Sequence, residues 1–122
     1  MLTPRDYPNC RFETGNERFL VSKQLQPRTC ARFLKALGDP ERLRIVERLQ
    51  SGPKNVSELA LLLRDDLAKV SHHLKVLRQV GLVQPRKQGK FVVYVLHPNI
   101  FRKGQGGDCL DLGCCRLELG TS

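Results

Sequence analysis

Apolar residues recur every three or four positions from about residue 28 to residue 80, which is the period of an amphipathic helix. Four such stretches lie between positions 28 and 80, with capping residues between them. The first ends at Gly38, and the second begins with Asp39-Pro40-Glu41, an acidic cap followed by a proline that suits the first helical turn. The pattern therefore predicts helices, the second of which buries Leu43, Ile45, Val46 and Leu49.

The third and fourth predicted helices are close together in sequence. Asn55 and Glu58 have the spacing of a capping box, which begins a short helix from Val56 to about Leu63. Asp65-Asp66 caps a longer helix, Leu67–Val80. Two helices with so short a connection are typical of a helix-turn-helix. Their expected buried residues are Leu59, Leu62, Leu63, Leu67, Val70, Leu74, Leu77 and Val80.

After Gly81 the apolar residues follow a period of about two, as in strands. Leu82–Arg86 and Phe91–Leu96 are predicted strands, joined by Lys87–Lys90 into a hairpin with a basic tip. Beyond Pro98 the pattern weakens, so we expect one helical turn near residues 99–101 and then a loose, glycine-rich chain. The fold class is mainly α with a β-hairpin wing, which is a winged helix-turn-helix.

A chain of 122 residues is too short for two domains with separate cores. We expect a partly flexible N-terminal arm at 1–27, a winged-helix DNA-binding domain at 28–103 and a cysteine-rich C-terminal tail at 104–122. No stretch reaches the roughly 20 apolar residues of a membrane span. The first residues also lack the apolar core of a secretory signal, so a cytoplasmic protein without membrane contact is expected.

The basic charge is concentrated in the same region as these elements. The formal net charge is +9, yet Leu67–Lys103 contains no Asp or Glu. A helix of about 20 Å with a polar, cationic side can enter a major groove about 12 Å wide, which indicates double-stranded DNA as the partner. His73 borders the apolar side, so it is expected either to pack or to contact phosphate. The candidate DNA contacts are Lys69, Ser71, His72, His73, Lys75, Arg86, Lys87 and Lys90.

Over residues 28–97 the chain resembles the arsenical-resistance (ArsR/SmtB) family of winged-helix repressors. The resemblance rests on Phe33–Ile45, Ser57–Ala60, Val70–Arg78, Gly81–Val83, Arg86–Lys90 and Tyr94. It implies a homodimer that binds an inverted-repeat operator and is released by a ligand. It places the reading helix at Leu67–Val80 and the wing at Leu82–Leu96, and it implies neither an enzyme nor a required cofactor.

The five cysteines are expected to be reduced thiols, with Cys30 a small buried apolar residue. Cys109, Cys114 and Cys115 are flanked by glycines and can converge on one ion. Three thiolates suit trivalent arsenic or antimony, and a fourth, such as Cys10 as an accessory ligand, would suit zinc or cadmium. The hypothesis is a repressor that is released when these cysteines bind such an ion, with arsenite or antimonite favoured.

Other functions stay open. The same cysteines could sense oxidants by forming a disulfide, with Cys109 favoured because adjacent Cys114 and Cys115 would form a strained pair. A thiol redox enzyme is a further alternative, although Cys-x-x-Cys and nucleotide-binding loops are absent from the sequence. An unregulated DNA-packaging or RNA-binding module fits the helix and wing less well than specific duplex contact does.

Overall fold

The computed structural model describes residues 27–104 and 107–120. Residues 34–97 form one compact unit, and the described residues before and after them belong to another. The helices are α1 (Pro27–Leu37), α2 (Pro40–Leu49), α3 (Val56–Leu63) and α4 (Leu67–Gln79). The strands are β1 (Val83–Gln88), β2 (Phe91–Leu96), β3 (Phe101–Arg102), β4 (Asp108–Asp111) and β5 (Arg116–Leu119).

Side-chain caps begin three of the helices, as the sequence predicted. Asp39 Oδ1 accepts hydrogen bonds from the backbone N–H groups of Glu41 and Arg42 at 2.8 and 3.2 Å. Asn55 and Glu58 form the reciprocal capping box of α3. None of the described helices combines the length and the apolar character that crossing a membrane would need.

The core of residues 34–97 is built from the helices and the hairpin. The predicted burial is wrong at Leu43, Leu62 and Leu67, of which Leu62 and Leu67 are 43% and 54% exposed, and Val80 is only half-buried. Successive helical residues are about 100° apart, and the buried side of α3 is centred among Leu59, Ala60 and Leu63, so Leu62 lies outside it. The buried side chains of this unit are Ala36, Leu37, Ile45, Val46, Leu49, Leu59, Ala60, Leu63, Val70, Leu74, Leu77, Leu82, Val83, Val93 and Leu96.

The wing is an antiparallel hairpin whose register runs from Val83 opposite Leu96 to Gln88 opposite Phe91. Gly89, with a φ of 64°, takes the left-handed backbone of its two-residue turn. β1 extends two residues further than predicted, which places Lys87 on a strand. On the other side of β2, the Tyr94 N–H donates to the Lys54 carbonyl at 2.8 Å, and α4 packs against β1.

The segment after residue 97 differs most from expectation. Residues 98–100 form a turn instead of a helical turn, and β3, β4 and β5 make an antiparallel sheet in that order. The sheet buries Cys109, Leu110, Leu112 and Leu119. The expectation of a loose chain is therefore wrong for the described part of this segment. Its polar–apolar alternation at Arg116–Leu119 is a strand signal that the glycines and cysteines obscured.

Candidate functional site

Helix α4 has one buried and one exposed side. Val70, Leu74 and Leu77 are almost fully buried in the core of their unit. Four of the predicted DNA contacts lie on the exposed side: Lys69, Ser71, His72 and Lys75. Arg78 is a further exposed cation of α4 that was not among the predicted contacts, although its helical position indicated it. The helix thus presents hydrogen-bonding and cationic groups to solvent.

The beginning of α4 is held by two aspartates. Asp66 Oδ1 accepts from the Lys69 N–H at 3.0 Å, and Asp65 Oδ1 lies 3.9 Å from Lys69 Nζ. The pKa of Asp65 is held below its usual value, mainly by a hydrogen bond with the Glu41 side chain and secondly by a hydrogen bond from the Asp66 N–H. The pair with Lys69 is long and solvent-exposed, so it leaves the lysine available to an external anion.

The wing carries the other three predicted contacts. Arg86, Lys87 and Lys90 are all exposed. Because Arg86 and Lys87 are consecutive on β1, their side chains extend from opposite faces of the hairpin, while Lys90 occupies the turn. Phe91 and Val92 beside this turn are apolar and also exposed. Positive charge therefore surrounds the tip of the wing.

His73 lies on the inner side of α4, unlike the other predicted contacts. Its side chain is 13% exposed, with Nε2 3.4 Å from Glu41 Oε2. Its Nδ1 is 3.3 Å from Arg42 Nη1, and Arg42 Nε donates to the Ala36 carbonyl at 2.6 Å. Of the two roles that the sequence allowed, the geometry agrees with packing, and His73 links α4 to the start of α2.

Asp39 takes part in the same group of polar side chains. Burial raises the pKa of its carboxyl, but hydrogen bonds from the Arg42 and Glu41 N–H groups outweigh burial, and the net pKa is lowered. The Arg42 guanidinium, 3.8 Å from Asp39 Oδ2, adds to this effect. The carboxylate is thus kept charged at the positive end of α2, where its interaction with the helix dipole stabilises the helix.

The described cysteines are mostly oxidised. Cys30 on α1 and Cys114 form a disulfide with a Cα–Cα distance of 6.1 Å, and Cys109 is disulfide-bonded as well. Cys115 is the free thiol of the described residues, and its sulfur lies 4.0 Å from that of Cys114. The expectation of reduced thiols is wrong for Cys30, Cys109 and Cys114. The expectation of Cys30 as a buried apolar residue is also wrong, since its side chain is half-buried.

Three cysteine sulfurs come together: those of Cys30, Cys114 and Cys115 all lie within 4.8 Å of one another. The predicted set shares Cys114 and Cys115 with this group. Cys109 is not a member of this group among the described residues; it lies on β4, where its side chain is fully buried. Cys10 lies outside the described residues. Cys30 is 84 positions from Cys114, and no sequence spacing relates two residues so far apart.

The chain is similar to known transcriptional regulators in both sequence and structure. A family model described as "Bacterial regulatory protein, arsR family" matches residues 39–84, from the start of α2 into β1. A solved structure titled as a possible transcriptional regulator for arsenical resistance is 41% identical, with a TM-score of 0.51 over 54% of this chain and 69% of the other. The chain belongs to the ArsR family.

Two further ArsR-type proteins define the extent of the similarity. The arsenical resistance operon repressor of Escherichia coli is 44% identical over 56% of this chain and 59% of its own length. The solution structure of a homodimeric winged helix-turn-helix domain from Mycobacterium bovis is 26% identical with a TM-score of 0.56, covering 71% of this chain and 75% of the other. The chain spans 56 to 63% of the first curated relatives that it matches. The ArsR family consists of DNA-binding transcriptional regulators and not of enzymes.

Proposed function

We propose that this chain is a transcriptional repressor that binds an operator in double-stranded DNA and is released by a soft metal or metalloid ion. The observation that carries the proposal is the exposed cationic side of α4 beside a wing with a cationic tip. The whole segment from Leu67 to Lys103 contains eight basic residues and no acidic one. Such a concentration of positive charge attracts the phosphates of a duplex.

Each exposed residue among the predicted contacts has a proposed role in this interface. In this proposal Lys69, Ser71 and His72, near the start of α4, contact base edges in the major groove. Lys75 is placed further along the helix and contacts phosphate. The wing residues Arg86, Lys87 and Lys90 hold the flanking backbone. His73 supports α4 from inside and is not assigned a DNA contact.

A homodimer on an inverted repeat is the proposed assembly. The Mycobacterium bovis relative is described as homodimeric, and the present chain has one reading helix per copy. Two such helices related by a two-fold axis contact half-sites one helical turn apart, about 34 Å. The operator should therefore be an inverted repeat with that spacing.

The proposed effector is a soft ion held by thiolates. Cys114 and Cys115, two members of the predicted set, lie in a group of three sulfurs, and three thiolates suit trivalent arsenic or antimony. The Escherichia coli relative is named for arsenical resistance, which favours arsenite. Zinc or cadmium would require a fourth ligand. The disulfide between Cys30 and Cys114 favours redox sensing as a second candidate for the same cysteines.

Fluorescence anisotropy on duplexes selected from a random-sequence library tests the DNA interface. We expect the logarithm of affinity to fall linearly with the logarithm of potassium chloride concentration. The variant Lys87→Gln/Lys90→Gln should have a shallower slope, by about 0.9 for each phosphate that it no longer neutralises. Arg44→Gln, which removes an exposed cation of α2, is the matched control and should keep the wild-type slope.

Two outcomes would contradict the DNA interface. One is an affinity that does not change with salt. The other is uniform coating of the duplex in a footprint instead of protection of an inverted repeat.

For the effector, sodium arsenite should release reduced wild-type protein from the selected duplex but not the Cys114→Ser variant. Equal release of both proteins would exclude the cysteine group as the sensor.

A further inference from the structure

We propose that Cys30, Cys114 and Cys115 form a soft-ion site that exists only in the reduced protein and that the Cys30–Cys114 disulfide closes. The proposal deepens the effector part of the proposed function, because it replaces Cys109 by Cys30 and adds a second input, the redox state. Only its consequence at DNA rests on that function. The site itself can be tested in the absence of DNA.

The sulfur positions fit a shared ion once the disulfide is reduced. All three sulfurs lie within 4.8 Å of one another. In a thiolate site with metal–sulfur bonds of about 2.3 Å and tetrahedral angles, the sulfurs are about 3.8 Å apart. Reduction separates the sulfurs of Cys30 and Cys114 to ordinary van der Waals contact, which is close to that spacing. Cys115 is already 4.0 Å from Cys114, so little rearrangement is required.

The backbone holds two of these cysteines in a closed turn between β4 and β5. The Leu112 N–H donates to the Cys115 carbonyl at 2.9 Å, and the Gly113 N–H donates to Asp111 Oδ1 at 3.0 Å. Gly113 adopts a φ of 90°, which a residue with a β-carbon rarely takes. The third cysteine, Cys30, projects from helix α1. Two ordered elements thus supply the three sulfurs.

The surroundings of the sulfurs suit an ion that arrives from solvent. Cys30, Cys114 and Cys115 are each half-buried, so an ion can enter while part of its environment excludes water. Cys109 is fully buried and is not among the three described sulfurs that lie within 4.8 Å of one another, which removes it from this site. Cys114 and Cys115 of the tail therefore share the site with Cys30 of α1, which is 84 positions from Cys114 in sequence.

The chemistry of opening is a two-electron reduction. A dithiol reductant gives two electrons and two protons to the Cys30–Cys114 bond and becomes a disulfide itself, leaving three thiols in the site. Arsenous acid then exchanges its three hydroxides for three thiolates. The three thiol protons leave with the hydroxides as three waters, and arsenic stays trivalent throughout.

The two inputs exclude each other. In the oxidised state only Cys115 of the three retains a thiol, and one thiolate cannot form the site. In the loaded state Cys30 and Cys114 are both ligands, so their sulfurs cannot bond to each other. Ion binding and disulfide formation must then oppose each other by the same coupling free energy, because linkage is reciprocal.

Native mass spectrometry with sodium arsenite tests the site without DNA. Reduced wild-type protein should gain one arsenic atom and lose three hydrogens per chain. Protein whose Cys30–Cys114 bond is verified by non-reducing peptide mapping should gain none. Reduced Cys30→Ser and Cys115→Ser should bind at least about tenfold more weakly, whereas Cys109→Ser, once circular dichroism shows that it is folded, should bind like wild type.

The outcomes decide between the alternatives. Equal arsenite binding by the oxidised and reduced proteins would overturn the proposal. So would wild-type affinity of Cys30→Ser, or loss of binding in folded Cys109→Ser, which would restore the set that the sequence predicted. Because no duplex is present, failure here leaves DNA recognition untouched, and failure of the anisotropy experiment leaves the ion site untouched.

Discussion

His73 Nε2 lies 3.4 Å from Glu41 Oε2, so an imidazole of α4 faces a carboxyl group in the first turn of α2. Glu41 Oε2 is buried and has no hydrogen-bond partner among the described residues, and the imidazole at 3.4 Å is the group that faces this oxygen. Arg42 approaches the other ring nitrogen of His73 at 3.3 Å. The histidine therefore holds the reading helix against α2, and its exposed neighbour His72 is available for another role.

The two adjacent histidines are predicted to have separable functions. His73→Ala should lower the free energy of unfolding by about 1–2 kcal/mol, because it leaves a buried carboxylate oxygen without a facing group. His72→Ala removes an exposed ring, so stability should change by less than about 0.5 kcal/mol while affinity for the selected duplex falls. Urea unfolding and anisotropy measure the two effects. Loss of stability in His72→Ala alone would contradict this assignment.

Acid should destabilise the protein through Asp39 and Asp65. Both pKa values are lowered from the ordinary 3.8, so the folded state binds their protons less readily than the unfolded chain. Their contribution is present above pH 3.8 and is lost as the pH falls through the lower folded values. Asp39→Asn retains a capping oxygen but cannot titrate. Its urea midpoint should therefore fall less than that of wild type between about pH 5 and pH 2, and parallel curves would contradict the prediction.

Gly113 is expected to be required for the turn that carries Cys114 and Cys115. Gly113→Ala places a β-carbon on a backbone with a φ of 90°, which should cost about 1 kcal/mol or more. The displaced turn should also weaken arsenite binding by the reduced protein. Gly120→Ala is the matched control, because an added β-carbon there meets nothing within 4 Å. If both variants had wild-type stability and arsenite affinity, the turn would not position the cysteines.

The connection between α3 and α4 contains a strained residue that can be relieved. Arg64 ends α3 with a φ of 53° and a ψ of 47°, the left-handed conformation that favours glycine. Arg64→Gly should raise the free energy of unfolding by about 0.5–1 kcal/mol, since the relieved strain exceeds the added entropy of the unfolded chain. Arg64→Ala, which removes the charge but keeps the β-carbon, should show no such gain in thermal unfolding. An equal gain in both variants would assign the effect to the charge.

Local sequence signals sufficed for the helices, their caps and the wing. Asp39, Asn55 and Asp66 accept hydrogen bonds from N–H groups only two or three residues away, so their role can be recognised from the neighbouring residues. The alternation along Phe91–Leu96 likewise concerns one strand and its adjacent partner. Such contacts are close in sequence, which is why the winged helix and its cationic side were predictable.

Burial at the edges of these elements was less predictable. Leu62 and Leu67 belong to apolar stretches, yet the core is centred on their neighbours and leaves them exposed. The orientation of a helix about its axis depends on what packs against it, and the sequence of the helix alone does not contain that information. The same reason separates His73, turned inward, from His72, although the two residues are adjacent.

By itself the sequence determined that this protein has a winged helix-turn-helix with a basic segment, Leu67–Lys103, that contains no acidic residue, and a group of cysteines near its C-terminal end. Only the tertiary structure decided which cysteines meet. It ordered β4 and β5, buried Cys109 on β4 and brought Cys30 of α1 to Cys114 and Cys115. A disulfide or an ion site depends on distances in space between residues that are remote along the chain, and those distances follow from packing, not from spacing.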